Sequence, residues 1–119
     1  KSGEAKIINK KNHFFSRIHV DDIANILSNS LNHFKKNEVY NISDDKPAPA
    51  EEVAMYGVKL LRVNKPKTIE INEVESEMLK DFYKDSKKVN NKKMKKFFNY
   101  KLKYPTYVDG LNYIFNNTI

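Results

Sequence analysis

The chain of 119 residues has no cysteine and no tryptophan, and only 3 glycines and 4 prolines. Without cysteine there is no disulfide framework, no thiolate metal site and no cysteine nucleophile. The glycines Gly3, Gly57 and Gly110 stand far apart. Neither a GxGxxG turn nor a P-loop exists to cradle a phosphate. No apolar run approaches the roughly 18 residues that span a bilayer, and Lys1-Ser2-Gly3-Glu4 lacks the apolar core of a signal peptide. A cytoplasmic location and no membrane partner are therefore expected. The chain does not open on methionine, and it is expected to be a piece of a longer protein. Arginine is scarce as well: of 22 Lys+Arg, only Arg17 and Arg62 are arginine.

What is present is basic. The net charge is +7 and the isoelectric point is near 9.5. Between Lys84 and Lys103 lysine recurs with only Asp85 opposing it. Such a run is a solvated helix face or a contact for a phosphate-bearing partner, a nucleotide as easily as a nucleic acid. Base reading and bidentate phosphate recognition favour arginine. Lysine enriched alongside asparagine, isoleucine, phenylalanine and tyrosine points to low-GC coding bias instead. A chain of this length is one ordinary domain, and no linker, repeat or low-complexity stretch divides it.

The patterning predicts a mixed α/β chain with a few short strands and about five helices. Ala5 to Ile8 reads as a strand and Asn9 to Asn12 as a turn. Phe14 to Val20 alternates with the period of a half-buried strand. Asp21 or Asp22 offers an N-cap for a helix whose apolar stripe is Ile23, Ile26, Leu27, Leu31 and Phe34, ending near Lys35-Lys36. Glu38 to Ile42 reads as a strand and Ser43 to Pro47 as a loop. Pro49 with Glu51 and Glu52 marks the next helix start, and its apolar set runs from Val53 to Leu61. Strand and helix alternation with such short connections implies at least one parallel strand pair. Lys67 to Ile71 is a further strand, and Glu75 to Lys84 a short helix. A helix capped by Asn90 or Asn91 runs to Phe98, with Asn99 as a left-handed stop. Thr106 and Asp109 form a capping box opening the last helix.

Candidate chemistry is sparse. His19 lies in a His-x-Asp-Asp stretch, but His19 and Asp21 share a strand face that Asp22 does not. The expected roles are a structural histidine and a helix cap, not a metal site. Asp44-Asp45 lacks the glycine and bidentate glutamate of a calcium loop. The serines have no nucleophile-elbow setting. Ser43, Asp44, Asp45 and Lys46 follow the carboxyl end of a strand expected to be parallel. Ligands bind at such ends, so these residues are candidates for a substrate-facing loop.

Four segments in order carry a resemblance. Phe15-Ser16-Arg17-Ile18-His19-Val20-Asp21-Asp22-Ile23-Ala24 resembles the His-Val-Asp-Asp segment of the extended short-chain dehydrogenase/reductase superfamily, in its NAD-dependent epimerase/dehydratase group. Val39-Tyr40-Asn41-Ile42-Ser43-Asp44-Asp45-Lys46-Pro47 resembles the strand and loop that follow in that group. Asp85-Ser86-Lys87-Lys88 with Phe97-Phe98-Asn99-Tyr100, and then Tyr104-Pro105-Thr106-Tyr107-Val108-Asp109-Gly110-Leu111, resemble its two later motifs. The likeness covers essentially all 119 residues and is nearest to the sugar-nucleotide epimerase-like members.

The resemblance implies the C-terminal, substrate-binding portion of a Rossmann-type protein, with residues 1–119 as a single domain fragment. In the family, NAD or NADP sits on an upstream glycine loop, and an upstream Tyr-x-x-x-Lys pair supports transient hydride exchange at a sugar carbon. This chain has no such glycine loop, and its Tyr83-x-x-x-Lys87 lookalike falls in the wrong place for the family, so it is expected to hold no cofactor and to be inactive alone. The implied partner is a nucleoside-diphosphate sugar or related small molecule. Arg17 is the available cation for its diphosphate, two residues before His19 where the family places arginine four before. Lys84 or Lys80 would stand in, as a point charge, for a second diphosphate-binding arginine. Two other readings remain: a basic nucleic-acid module stacking bases on Phe97, Phe98, Tyr100 and Tyr104, and a non-catalytic redox-sensing member of the same superfamily. Strand Glu38 to Ile42, deprived of neighbours, is expected to leave the isolated piece prone to self-association. Calorimetric titration of NAD or NADP into the chain alone should give no saturable binding, and micromolar saturation would overturn the assignment of the cofactor loop to another part of the protein.

Overall fold

The computed structural model describes residues 6–10 and 12–118. The order of elements is β1 (Lys6–Asn9), α1 (Val20–Ser30), α2 (Ala50–Leu61), β2 (Lys67–Glu70), a 3-10 turn (Ile71–Glu73), α3 (Glu77–Phe82), α4 (Lys92–Phe98) and α5 (Tyr107–Thr118). β1 and β2 form a two-stranded parallel sheet, with Lys6 opposite Lys67 and Asn9 opposite Glu70. The mixed α/β class is as the sequence predicts, but the parallel pair is not the one implied by the strand and helix alternation before Pro49: it joins the first strand to Lys67–Glu70. Ala5, at the start of the expected first strand, and Lys11, in the expected turn, lie outside the described residues.

Two expected strands are not strands. Phe14 to Val20 is an extended segment with one antiparallel bridge, Phe15 to Ala48, closed by two 3.1 Å bonds. Its other backbone groups are taken by loops: Lys87 N–H donates to Phe14 O at 2.9 Å and Asp44 N–H to Arg17 O at 2.7 Å. The Ser16 hydroxyl accepts from Val89 N–H at 2.8 Å. Residues 14–19 are all half-buried rather than alternately buried and open, and loops satisfy their backbone groups as a ladder would. Glu38 to Ile42 likewise has no ladder partner among the described residues.

Helix boundaries shift for identifiable reasons. The N-cap of α1 is His19, whose Nδ1 accepts from Asp21 N–H at 3.1 Å. Asp21 and Asp22 lie in the first turn instead, where carboxylates favour the positive end of the helix dipole. α1 stops at Ser30, short of Lys35. The Ser30 hydroxyl donates to Leu27 O at 2.7 Å, and the run of Ser and Asn there competes with the helix ladder. Asn90 caps α4 by accepting from Lys92 N–H at 2.9 Å, while the Asn91 side chain turns elsewhere. Asn99 takes the left-handed C-terminal stop, φ 48°, as predicted. Asp109 accepts from both the N–H (3.1 Å) and the hydroxyl (3.0 Å) of Thr106.

The core is small. Ile26, Met94 and Leu102 are buried together, with Ile18, Ile42, Phe98 and Tyr100 packed against them. Asp22, fully buried, sits beside this cluster. Its Oδ1 accepts from Tyr100 OH at 2.6 Å and Lys103 N–H at 2.9 Å, and its Oδ2 accepts from Tyr104 N–H at 3.0 Å. Three donors and a helix N-terminus replace the water this carboxylate has lost. Asp22→Ala strands two buried N–H groups and a phenol, and should lower stability by about 3 kcal/mol in urea denaturation; an unchanged midpoint would refute the role.

Candidate functional site

The end of the extended segment, the loop after Ile42 and the start of α5 converge on a cleft of about 310 Å³. Its walls are mostly aliphatic: Ile18, Val53, Leu111 and Ile114. The wall on the α1 side depends on a close approach. The His19 ring stacks on Tyr104 with centroids 4.0 Å apart, and a Cβ at position 110 would lie 3.1 Å from His19 Cδ2. Gly110 therefore lets α5 sit against the histidine that caps α1. His19 is structural, as expected.

Two charged groups face the cleft. The Arg17 guanidinium is half-buried. Its Nη2 donates to Ala48 O at 3.2 Å, and its Nη1 is buried without a hydrogen-bond partner. Burial lowers its pKa, against the pull of Asp44, Tyr107 and Glu52. Asp44 is buried as well, with Oδ1 accepting from Lys46 N–H at 3.0 Å. Desolvation raises its pKa in spite of that bond and of Arg17. The two lie in one cleft with no ion pair between them closer than 4.0 Å. At the rim the Tyr107 hydroxyl donates to Glu52 Oε2 at 2.7 Å. Burial and this carboxylate push the phenol up to about 12, so it stays a neutral donor.

Of the residues singled out from sequence, Arg17 and Asp44 line the cleft. Lys46 sits at its rim, 3.7 Å from Glu52 and 5.4 Å from the centre of the Tyr107 ring. Ser43 is buried, and its carbonyl accepts from Asn91 Nδ2 at 2.9 Å. Asp45 faces α4: its Oδ1 accepts from Asn91 Nδ2 and from Lys95 Nζ, each at 2.8 Å. Burial pushes the Asp45 carboxyl up, and these two bonds outweigh it, leaving its pKa lowered. Ser43 and Asp45 thus brace the loop from behind. Lys84 is not at the cleft; it follows α3 and pairs with Asp81 at 2.6 Å. The sequence predicts Glu52 only as a helix-start carboxylate and Asn91 only as a cap of α4. Neither Glu52 nor Tyr107 has a spacing signal that links it to Arg17.

The arrangement offers an unpaired forked cation, a desolvated carboxylate and an apolar floor. Among the described residues no group of three His, Asp or Glu could hold a metal ion, and no helix is long and apolar enough to cross a membrane. No protein-family model and no curated protein matches the chain. Among solved structures it is similar to a functionally unknown conserved protein from Silicibacter pomeroyi, with 34% identity and a TM-score of 0.88 over 94% of this chain. The chain spans 40% of that protein's length.

A carboxylate whose pKa is raised on folding binds its proton more tightly in the folded state. Asp44 therefore favours folding at low pH, and that contribution is lost as pH rises from 3.8 through the folded-state value. Asp44→Asn keeps an oxygen for Lys46 N–H and removes the charge. It should raise the urea midpoint at pH 7 and lose that advantage below pH 3.8. A destabilised variant at pH 7 would show that Asp44 is compensated in a way the geometry does not reveal.

Proposed function

We propose that the chain is the substrate-binding C-terminal portion of a Rossmann-type, NAD(P)-dependent nucleoside-diphosphate-sugar epimerase/dehydratase-like protein, without catalytic power of its own. The observation that carries the reading is Arg17. A guanidinium nitrogen buried without a partner is expensive to keep, and an anionic ligand group entering the cleft would satisfy it. Three of the four segments that resemble the family supply the cleft: Arg17 to Val20, Asp44, and Thr106 to Leu111. Aliphatic walls with a few converging polar groups are the usual make-up of a small-molecule site. Arg17 would bind a phosphate oxygen through its fork, and Asp44 would accept from a hydroxyl.

Among the described residues, the glycines offer no cradle for a nicotinamide dinucleotide. Gly57 stands inside α2 with open space around its Cα, and Gly110 stands in α5 against His19. Neither opens a phosphate-binding turn at a helix N-terminus. We infer that NAD or NADP belongs to another part of the protein. The nucleic-acid reading loses its stacking surfaces. Tyr104 is buried, Tyr100 donates to Asp22, and Phe97 packs against His33, Tyr40 and Phe98. Lys93 and Lys95 are engaged by Glu38 and Asp45.

Calorimetric titration with uridine diphosphate and with pyrophosphate tests the reading. Arg17→Ala should weaken binding by about tenfold or more, about 1.4 kcal/mol. Arg17→Lys should fall between, because lysine presents a point charge rather than a fork. Equal affinity of the wild-type and Arg17→Ala chains would overturn it.

A further inference from the structure

Two polar groups in the cleft have unmet demand, and their charges are opposite. The other hydroxyls that line it are engaged: Thr106 donates to Asp109 at 3.0 Å and Tyr107 to Glu52 at 2.7 Å. Arg17 keeps Nη1 buried without a partner. Asp44 is 3% exposed, and Lys46 N–H donates to its Oδ1; among the described residues no donor reaches Oδ2. Asp44 N–H donates to Arg17 O at 2.7 Å, so both side chains leave the backbone at one place on the wall. A guanidinium and a carboxylate placed so ordinarily pair, because each is the other's strongest available partner. Here no ion pair closer than 4.0 Å joins them.

A ligand of negative charge alone satisfies the arginine but brings that charge beside a desolvated carboxylate. The cleft, about 310 Å³, is near the small end of ligand sites, so distance does not relieve the repulsion. A hydroxyl donates to Asp44 Oδ2 without neutralising it. An ammonium does both, through a charge-assisted bond. We propose that Asp44 is a specificity-determining residue for a primary amine: the cleft takes a small dipolar molecule whose anionic oxygens meet Arg17 and whose ammonium meets Asp44. This rests on the reading of Arg17 as an anion anchor. Two sources carry the same chemistry. One is an amino sugar joined to phosphate, which fits the nucleotide-sugar reading. The other is a free aliphatic amino acid, whose side chain would lie on Ile18, Val53, Leu111 and Ile114.

Calorimetry on the 119-residue chain tests it by comparing each amine with a counterpart that lacks it. The pairs are glucosamine 1-phosphate against glucose 1-phosphate, and L-leucine against 4-methylpentanoate. Within one pair the amine should bind about tenfold tighter or more, and Asp44→Asn should erase the difference by weakening the amine alone. Asparagine keeps an oxygen for Lys46 N–H, so the bond that holds the loop is retained. A preference in the sugar pair supports the proposal together with the nucleotide-sugar reading. A preference in the amino-acid pair alone supports the proposal and contradicts that reading. Equal affinities within both pairs, or a preference that survives Asp44→Asn, overturn the proposal; if Arg17→Ala still weakens both sugar phosphates, the anion anchor stands without it. No measurable binding of any of the four overturns it as well.

Discussion

The buried carboxylate of Asp22 is the interaction on which the rest of the structure depends. It is anchored in the first turn of α1 and takes hydrogen bonds from Tyr100, Lys103 and Tyr104, more than 75 residues away in sequence. A charge removed from water is tolerated only when donors replace the solvent, so these contacts must form together. They fix the chain from Tyr100 to Tyr104 against α1. Tyr104 then presents its ring to His19, His19 meets Gly110, and the start of α5 is set. The cleft wall is thus a consequence of how one aspartate is satisfied.

The neighbouring charges are handled differently, and the contrast separates structure from function. Asp45 is held through Oδ1 by Asn91 and Lys95 on the α4 side and does not line the cleft. Asp44 and Arg17 are desolvated in the same cleft without a direct ion pair, and burial shifts each toward its neutral form. Stability alone would favour an apolar pair there. Strain kept at a concave, partly apolar surface is the pattern of a binding site held ready for a charged ligand.

Much of the fold was legible in the sequence where local chemistry decides it. Pro49 with its acidic first turn, the Asn99 stop and the Thr106–Asp109 pair act over a few residues, and each leaves a signature. Expectations failed where the outcome is set at long range. The period of Phe14 to Val20 predicted a strand with one buried face, but Phe14 to His19 are all half-buried and their partners are the loops at residues 44–48 and 86–89. Asp22 read as a cap because nothing local reveals three donors far along the chain. At the site, Arg17 and Asp44 were legible because each stands in a recognisable segment. Glu52 and Tyr107 were not, since their bond joins α2 to α5 and has no sequence period. Lys84 was singled out as a stand-in for the family's second diphosphate-binding arginine, and its partner Asp81 is a local one.

The central proposal is that a phosphate-bearing small molecule docks between Arg17, Asp44 and the start of α5, where Arg17 Nη1 is buried without a hydrogen-bond partner. The most direct measurement is a titration of isotopically labelled protein with uridine diphosphate, followed by NMR. Shifts concentrated at residues 17–20, 44 and 106–111, with the Arg17 side-chain N–H signals among the largest, are the result this account predicts. Shifts spread instead along the lysines from 84 to 103, or no saturable change at all, would contradict it.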